Sequence, residues 1–430
     1  MKRQRFYILF FIPLFTACLE SPNMTTGIVN GKEEPTVLTE KTNPFHNDGN
    51  LFFQGEIKAK GKSEITERGF CWSTTSDNPG KSDSIIRVPG ADSDIFSCEL
   101  KRVRGDSTTY YWRAFASNKY GDDYGDVQSC QTPKIWEKKE TLPAHARGRG
   151  AVFILDNKIY MTCGQSLSGG GLNNTWRYNI ADDNDKWTEK AKFIGDERID
   201  PVAFTIGNFA FVGTGRKEGE NSKDFYQYNS TLDFWTEIAT PDDLEVRYQA
   251  VAFSLNGKGY LVGGLSSPRG KLNDVWQYDA DANFWKRMNN FPVDFSGGIS
   301  ISGNNQAFVG FGNTSSEFQR TLWKYDEEND KWDKFATLSD DVGRTIYSGV
   351  IIQNTIYIVD EKNKIWACNI SNERKTWEEK TDLPSAFLYE HPEYISSGNQ
   401  LLFTTGKTNS IYVGLGFSKY LYEYRPLWNN

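Results

Sequence analysis

Seven tryptophans recur along the last two thirds of the chain at nearly constant spacing. Trp136, Trp187, Trp235, Trp285, Trp332, Trp377 and Trp428 follow one another at intervals of 51, 48, 50, 47, 45 and 51 residues. A second aromatic precedes each of the last six, in WRYN at Trp176, YQYN at Tyr226, WQYD at Trp276, WKYD at Trp323, WACN at Trp366 and YEYR at Tyr422. Upstream of each pair stands a strand-like run, most often closed by glycine: KIYMTCG, FAFVGTG, GYLVGG, AFVGFG, TIYIVD and LLFTTG. A unit of about fifty residues, repeated six times, is one supersecondary element that cannot bury its apolar faces alone and must lean on its neighbours.

The segment LNDVWQYDADANFW, Leu272 to Trp285, shows the element. It reads as two antiparallel strands joined by the turn YDADANF, one tryptophan on each. Rings on adjacent units can then meet, each burying about 150–250 Å². At roughly 25 cal/mol per Å² that is an upper bound of about 4–6 kcal/mol per ring. The reading is all-β, a propeller of six four-stranded blades. The register also constrains the ends. Trp136 sits in IWEKKETLP, an outer strand that comes before any first strand, and the chain finishes on YLYEYRPLW, a third strand. The early strand is therefore expected to complete the last blade and close the ring. A glycine pair after the second strand and a spaced tyrosine and tryptophan resemble the kelch repeat over about 295 residues. Val359-Asp360 departs from it, having lost the glycines. The resemblance implies a kelch-type β-propeller over 134–430.

Before the repeats, ITERGFCWSTT and STTYYWRAFASNKYGDDYG read as strands. Tyr110, Trp112, Ala114 and Ala116 alternate onto one face, as a half-buried strand requires. Residues 34–133 have the size of an Ig-like β-sandwich. GFCWST and YYWRAFASNKYG resemble fibronectin type III-like modules, which implies a spacer. The N-terminus, MKRQRFYILFFIPLFTACLES, has a basic start and an apolar run too short to span a bilayer. It resembles the leader and lipobox of bacterial lipoproteins. That implies a signal peptide over 1–17, lipidation of Cys18, a tether over 18–33, and an outer-membrane address, since Leu19 is not the inner-membrane retention aspartate. Which side of that membrane is left open. The formal charge of -7 argues against a nucleic-acid partner. Cys71, Cys98, Cys130, Cys163 and Cys368 show no C-x-x-C spacing, hence no zinc or thiol-redox motif; a bridge within the first three stays open.

No H-E-x-x-H, G-x-S-x-G or P-loop occurs, so no catalytic residue, cofactor or metal is assigned. Copper radical oxidases of the galactose oxidase type share the kelch propeller and need two histidines, two tyrosines and a tyrosine-linked cysteine. The chain's histidines are His46, His145 and His391. The last two, with Cys163 or Cys368, do not by themselves make that set. Counting nine residues back from the turn that ends each first strand gives Arg147, Arg198, Arg247, Asp294, Arg344 and Tyr389. Four arginines at one mouth of the channel would suit a carboxylate, sulfate or phosphate. Acidic neighbours, among them Glu197, Asp200 and Glu245, leave a structural, ion-paired role open. Eleven of the thirteen tryptophans occupy the two repeat positions and Trp72 and Trp112 the sandwich, so ring stacking would fall to Tyr248, Phe318, Tyr347, Tyr389, or to Tyr412, Phe417 and Tyr420 in the last long loop. The turns NIADDND, DADANF and DEEND lack calcium-loop spacing and read as solvated turns. The expected function is a lipid-anchored envelope protein whose propeller face recognises a glycan or an extracellular protein bearing an anionic group. The alternatives are an enzyme resembling the kelch-type sialic acid mutarotases and a non-catalytic protein scaffold.

Overall fold

The computed structural model describes residues 31–41, 44, 50–90, 93–101, 103, 107–181, 187–384, 401–404, 410–414, 416 and 418–426. Cys18, His46, Tyr389, His391, Phe417 and Trp428 lie outside them. Every regular element among the described residues is a strand, and no helix is long and apolar enough to cross a membrane. The chain divides into two compact units, one built mainly on Phe53–Cys98 and Tyr111–Ser129, the other mainly on the chain from Cys130 onward.

The smaller unit holds two antiparallel sheets. One has Thr36–Thr39, Leu51–Ala59 and Ile95–Leu100; the other has Ser84–Arg87, Glu67–Ser73, Thr109–Asn118 and Gly121–Tyr124, with Gln128–Gln131 also paired to Thr109–Asn118. Alternation in Leu51–Ala59 sends Leu51, Phe53 and Ile57 inward. Phe53 stacks on Trp112 with centroids 4.8 Å apart, and Phe70 meets Phe96 at 5.2 Å, so the two sheets face each other through aromatic rings. A Cβ on Gly55 would come within 2.8 Å of the Ala114 Cβ, which is why glycine stands at this crossing. Cys71, Cys98 and Cys130 are free thiols. Burial pushes Cys71 up to about 11 and the other two up to about 12, which leaves them protonated and unreactive.

Among the described residues the larger unit contains six four-stranded antiparallel sheets. Sheet I is Ala151–Leu155, Lys158–Thr162, Thr175–Asn179 and Trp187–Lys190. Sheet II is Val202–Ile206, Phe209–Gly213, Phe225–Asn229 and Phe234–Ile238. Sheet III is Val251–Leu255, Lys258–Ser266, Gly270–Asp279 and Phe284–Met288. Sheet IV is Ile299–Gly303, Gln306–Gly310, Thr321–Asp326 and Lys331–Thr337. Sheet V is Ile346–Ile352, Thr355–Asp360, Lys364–Asn369 and Glu378–Asp382. Sheet VI is Leu401–Thr404, Ile411–Gly414, Leu421–Tyr424 and, as its outermost strand, Trp136–Lys138. In that last pairing Tyr424 faces Trp136 and Tyr422 faces Lys138. The first strands of successive sheets adjoin, and those of sheets VI and I adjoin as well, so the six form a closed cycle. One assignment from the sequence moves by a strand. Leu401–Thr404, LLFT, supplies the first strand of sheet VI, not the second; Ile411–Gly414 is the second.

The repeated rings pack in one geometry between sheets. Phe153 and Tyr160 of sheet I stack at 6°, and Trp235 of sheet II stands edge-on to Phe153 at 86°. Phe204, Phe211 and Trp285 repeat this between sheets II and III, with interplanar angles of 13° and 88°. Phe253, Tyr260 and Trp332 do so again between III and IV, at 9° and 88°. In these three units the second tryptophan thus covers the face of the sheet before it, the edge-to-face contact that aromatic quadrupoles favour. The acidic turns also have partners. The hydroxyls of Tyr228, Tyr278 and Tyr325 donate to Asp233, Asn283 and Asp330, each five residues ahead, at 2.7–2.8 Å. Asp233 and Asp330 then accept the backbone N–H of Ala191 and Asn289, at the end of the preceding sheet, both at 2.9 Å.

Candidate functional site

Arg147, Arg198 and Arg247 precede the first strands of sheets I, II and III, with exposures of 1%, 0% and 0%. In place of a ring of solvent-facing cations the structure has three guanidinium groups inside the packing. Arg198 Nη1 and Nη2 donate to the two oxygens of Asp224 at 2.6 and 3.1 Å. Arg247 does the same to Asp274 at 2.7 and 2.6 Å. Each arginine also holds a carbonyl at the end of the second strand: Nη1 reaches Thr214 O at 3.2 Å and Gly263 O at 3.0 Å. Those carbonyls belong to residues at φ 57° and 60°, the first position of the glycine doublet. The arginine therefore locks the left-handed turn that ends the strand. Burial opposes ionisation of Asp224 and Asp274, but hydrogen bonds and charge from Arg198 and Arg247 outweigh it and hold both carboxyls below their ordinary value. In sheet IV the matching position is Phe295, bridged to Leu272 as Arg247 is to Ser222. Asp294 is half-buried and accepts from Ser315 at 2.7 Å. Arg344 is exposed, its N–H bound to Glu361 at 2.9 Å. Tyr412 lies in a strand, 2% exposed, against Tyr178. Tyr389 and Phe417 fall outside the described residues.

The cavity opens two residues further on. Arg149, Asp200, Gln249 and Gly297 follow the aligned positions of sheets I to IV and share a left-handed backbone, at φ 57°, 54°, 52° and 64°. That backbone turns them onto the mouth of a cavity of about 520 Å³, at the starts of the first strands, which Asn313 and Tyr347 also line. Such a volume falls in the range of small-molecule sites. The walls are small residues, Gly150, Gly298, Gly349 and Ala252 among them; a Cβ on Gly349 would meet Ile301 Cδ1 at 2.6 Å. The rim is knit from sheet to sheet: Asp200 N–H donates to Arg149 O at 2.8 Å and Gly297 N–H to Gln249 O at 2.9 Å. Deeper, the Ser254 hydroxyl donates to Thr205 O at 2.6 Å and that of Ser300 to Ala252 O at 2.7 Å.

Arg149 and Asp200 form the charged part of the described lining. Arg149 Nε donates to Asp200 Oδ1 at 2.7 Å, Nη2 donates to Oδ2, and Nη1 reaches Gln165 at 3.3 Å. Burial works against the Arg149 cation, and its bonds to Asp200 more than offset that. Across the mouth, in the first strand of sheet V, Tyr347 is pushed up to about 12 by burial and then by Glu361 and Asp360, which keeps its hydroxyl protonated. The mouth thus offers paired donors and acceptors, a carboxamide from Gln249 and one aromatic ring. Among the described residues no group of three or more His, Cys, Asp or Glu could hold a metal ion. Arg149, Asp200 and Gln249 were missed by the counting rule, although the aligned triplets RGR, RID, RYQ and FSG held a signal. The first position is arginine three times in four, as a shared structural task requires. The third varies among polar types, as a site does.

Residues 151–359 match the family described as the KLHDC2/KLHL20/DRC7 Kelch-repeats domain. Human Kelch-like protein 23 is 25% identical over 254 residues, 58% of this chain and 42% of that protein. The N-acetylneuraminate epimerase of Pasteurella multocida is 26% identical over 132 residues, 30% of this chain and 32% of that enzyme. The chain spans less than half the length of these curated relatives. A solved structure described as that of YjhT aligns with a TM-score of 0.52 at 15% identity, over 65% of this chain and 94% of that one.

Proposed function

We propose, from the premise that this chain carries a kelch-repeat β-propeller, that it is an envelope binding protein whose channel mouth takes the polyhydroxylated end of a glycan. The six sheets serve as six blades, the two-sheet unit as a fibronectin type III-like spacer, and Cys18 as the lipid anchor that holds the protein at the outer membrane. One observation supports the ligand class above others: a sugar-sized cavity rimmed by the Arg149–Asp200 pair, Gln249 and Tyr347. Paired donors and acceptors suit vicinal hydroxyls, and an aromatic wall suits the apolar face of a sugar ring. A carboxylate on the glycan would compete with Asp200 for Arg149. Glycan-array profiles of the wild type and an Arg149→Ala, Gln249→Ala variant test the reading. A wild-type signal lost in the variant supports it; indistinguishable profiles remove the mouth as the site.

The second reading is a sugar-acid mutarotase or epimerase. It is favoured by the epimerase relative and by a carboxylate, Asp200, standing beside a cation in the cavity. NMR of N-acetylneuraminate anomers separates the two. Faster anomerisation that disappears in Asp200→Asn supports the enzyme, and saturable shifts without acceleration support the binder.

A further inference from the structure

The three buried arginines differ in the acceptors around them. In sheet III, Asp274 Oδ2 accepts from Arg247 Nη2 at 2.6 Å and from Trp276 Nε1 at 2.7 Å. In sheet II, Asp224 Oδ2 accepts from Arg198 Nη2 at 3.1 Å and from the Tyr226 hydroxyl at 3.2 Å. Sheet I has the same arginine and the same tryptophan, Arg147 and Trp176, but Asn174 in place of the aspartate. Asn174 Oδ1 accepts from Arg147 Nη1 at 2.6 Å. Its other terminal atom is then an N–H donor, so the second acceptor is missing. Arg147 Nη2 and Trp176 Nε1 thereby lose the acceptor that their counterparts have. Arg147 Nε, Arg147 Nη2 and Trp176 Nε1 are buried without a hydrogen-bond partner. The equivalent Nε atoms of Arg198 and Arg247 reach the carbonyls of Asp196 and Glu245 at 3.1 and 2.9 Å. Glu189 pairs across the strands with Trp176 but is exposed and forms no ion pair with Arg147.

Arg147 Nη1 also reaches Cys163 O and Asn174 O, both at 3.4 Å, but no carboxylate among the described residues pairs with the guanidinium, and a buried cation without its counter-charge is costly unless an anion completes it. We propose that Arg147, Asn174 and Trp176 form a binding site for one small monovalent anion of the halide class. The anion takes the role that the second carboxylate oxygen has in sheets II and III. In that place it receives from Arg147 Nη2, from the Trp176 indole and from the Asn174 amide. Asn174 and Trp176 are half-buried, so the site lies one side chain below the surface. Lowering of the Arg147 pKa to about 10 by burial, with Cys163 and Glu189 only partly opposing it, fits a cation lacking its counter-charge.

The test is thermal unfolding of the chain at constant ionic strength, with sodium gluconate replaced by chloride or bromide. Chloride and bromide should each raise Tm by about 2–4 °C. Asn174→Asp, which restores the carboxylate, should raise Tm in gluconate and erase the halide effect. Trp176→Phe, which removes one donor and keeps the cation, should shrink it. A crystal grown in bromide should show an anomalous peak beside Arg147. Equal wild-type Tm values in all three salts, or a halide effect that persists undiminished in Asn174→Asp, would overturn the proposal. Neither outcome touches the channel-mouth reading, which rests on other residues.

Discussion

At the scale of single residues, the chain uses one side-chain type in two environments at positions two residues apart in the repeat. Arg198 and Arg247 are closed in with a carboxylate each, whereas Arg149 shares its partner Asp200 with a cavity. Removing one member of a buried pair strands the other charge, at a cost of about 3–5 kcal/mol. Asp274→Ala should therefore lower stability by that amount in urea unfolding, because it abandons Arg247 and leaves Trp276 Nε1 without an acceptor. Arg147→Met should behave differently. Its guanidinium faces an amide and no carboxylate, so a chloride-free measurement should give a loss below about 1 kcal/mol, since an apolar side chain of similar volume replaces an uncompensated ion. Equal losses in the two variants would mean that the pairing in sheets II and III contributes no more than the lone cation does.

At the scale of the element, the end of the second strand carries the constraint. Gly263 sits at φ 60°, and a Cβ there would come within 2.6 Å of Phe295 Cε1. Gly263→Ala should cost about 1–3 kcal/mol through strain and overpacking. Thr214 holds the same backbone at φ 57°, with its hydroxyl buried and unpaired. Thr214→Gly relieves a left-handed β-branched residue and an orphaned donor, so its urea midpoint should stay level or rise, by up to about 1 kcal/mol in stability. These same turns explain what could be read in the sequence. Tryptophans and tyrosines at a fifty-residue period report packing between sheets, and packing repeats, so the cycle of four-stranded sheets was legible. The rim was not. Arg149, Asp200 and Gln249 adopt a left-handed backbone without the glycine that announces it, and a strand turned there sends the wrong residue to the mouth of any two-residue count. In sheet VI, LLFTTG and IYVG both end in glycine, so the sequence alone does not separate the second strand from the first.

At the scale of the whole larger unit, closure depends on one strand from the start of the repeats joining the last sheet. Backbone pairing of Trp136–Lys138 with Leu421–Tyr424 is reinforced by a clasp of charges. Glu423, whose side chain is 8% exposed, takes Lys139 at 2.6 Å, Arg425 at 3.0 Å and the Ser410 hydroxyl at 2.5 Å, while Glu137 bridges Lys139 and Arg425 at 3.0 and 2.6 Å. Burial resists the Glu423 charge, but the bonds from Arg425, Lys139 and Ser410 prevail and bring its pKa down to about 2 from 4.5. A carboxyl depressed in the folded state stabilises it fully above the unfolded pKa and loses that contribution as pH falls through the folded one. The window is thus about pH 4.5 down to about 2, and the shift corresponds to something on the order of 3 kcal/mol. Glu423→Gln should lower stability by that order at pH 7, where Lys139 and Arg425 lose their shared partner. It should also unfold with a shallower loss of stability between pH 4.5 and 2 than the wild type. Closure brings together strands nearly three hundred residues apart, so the variant should expose the Trp136 segment to protease before sheets II to IV open. Parallel acid limbs in the two proteins would show that the aromatic packing of Trp136 on Tyr424, 4.7 Å apart, closes the ring without help from the charges.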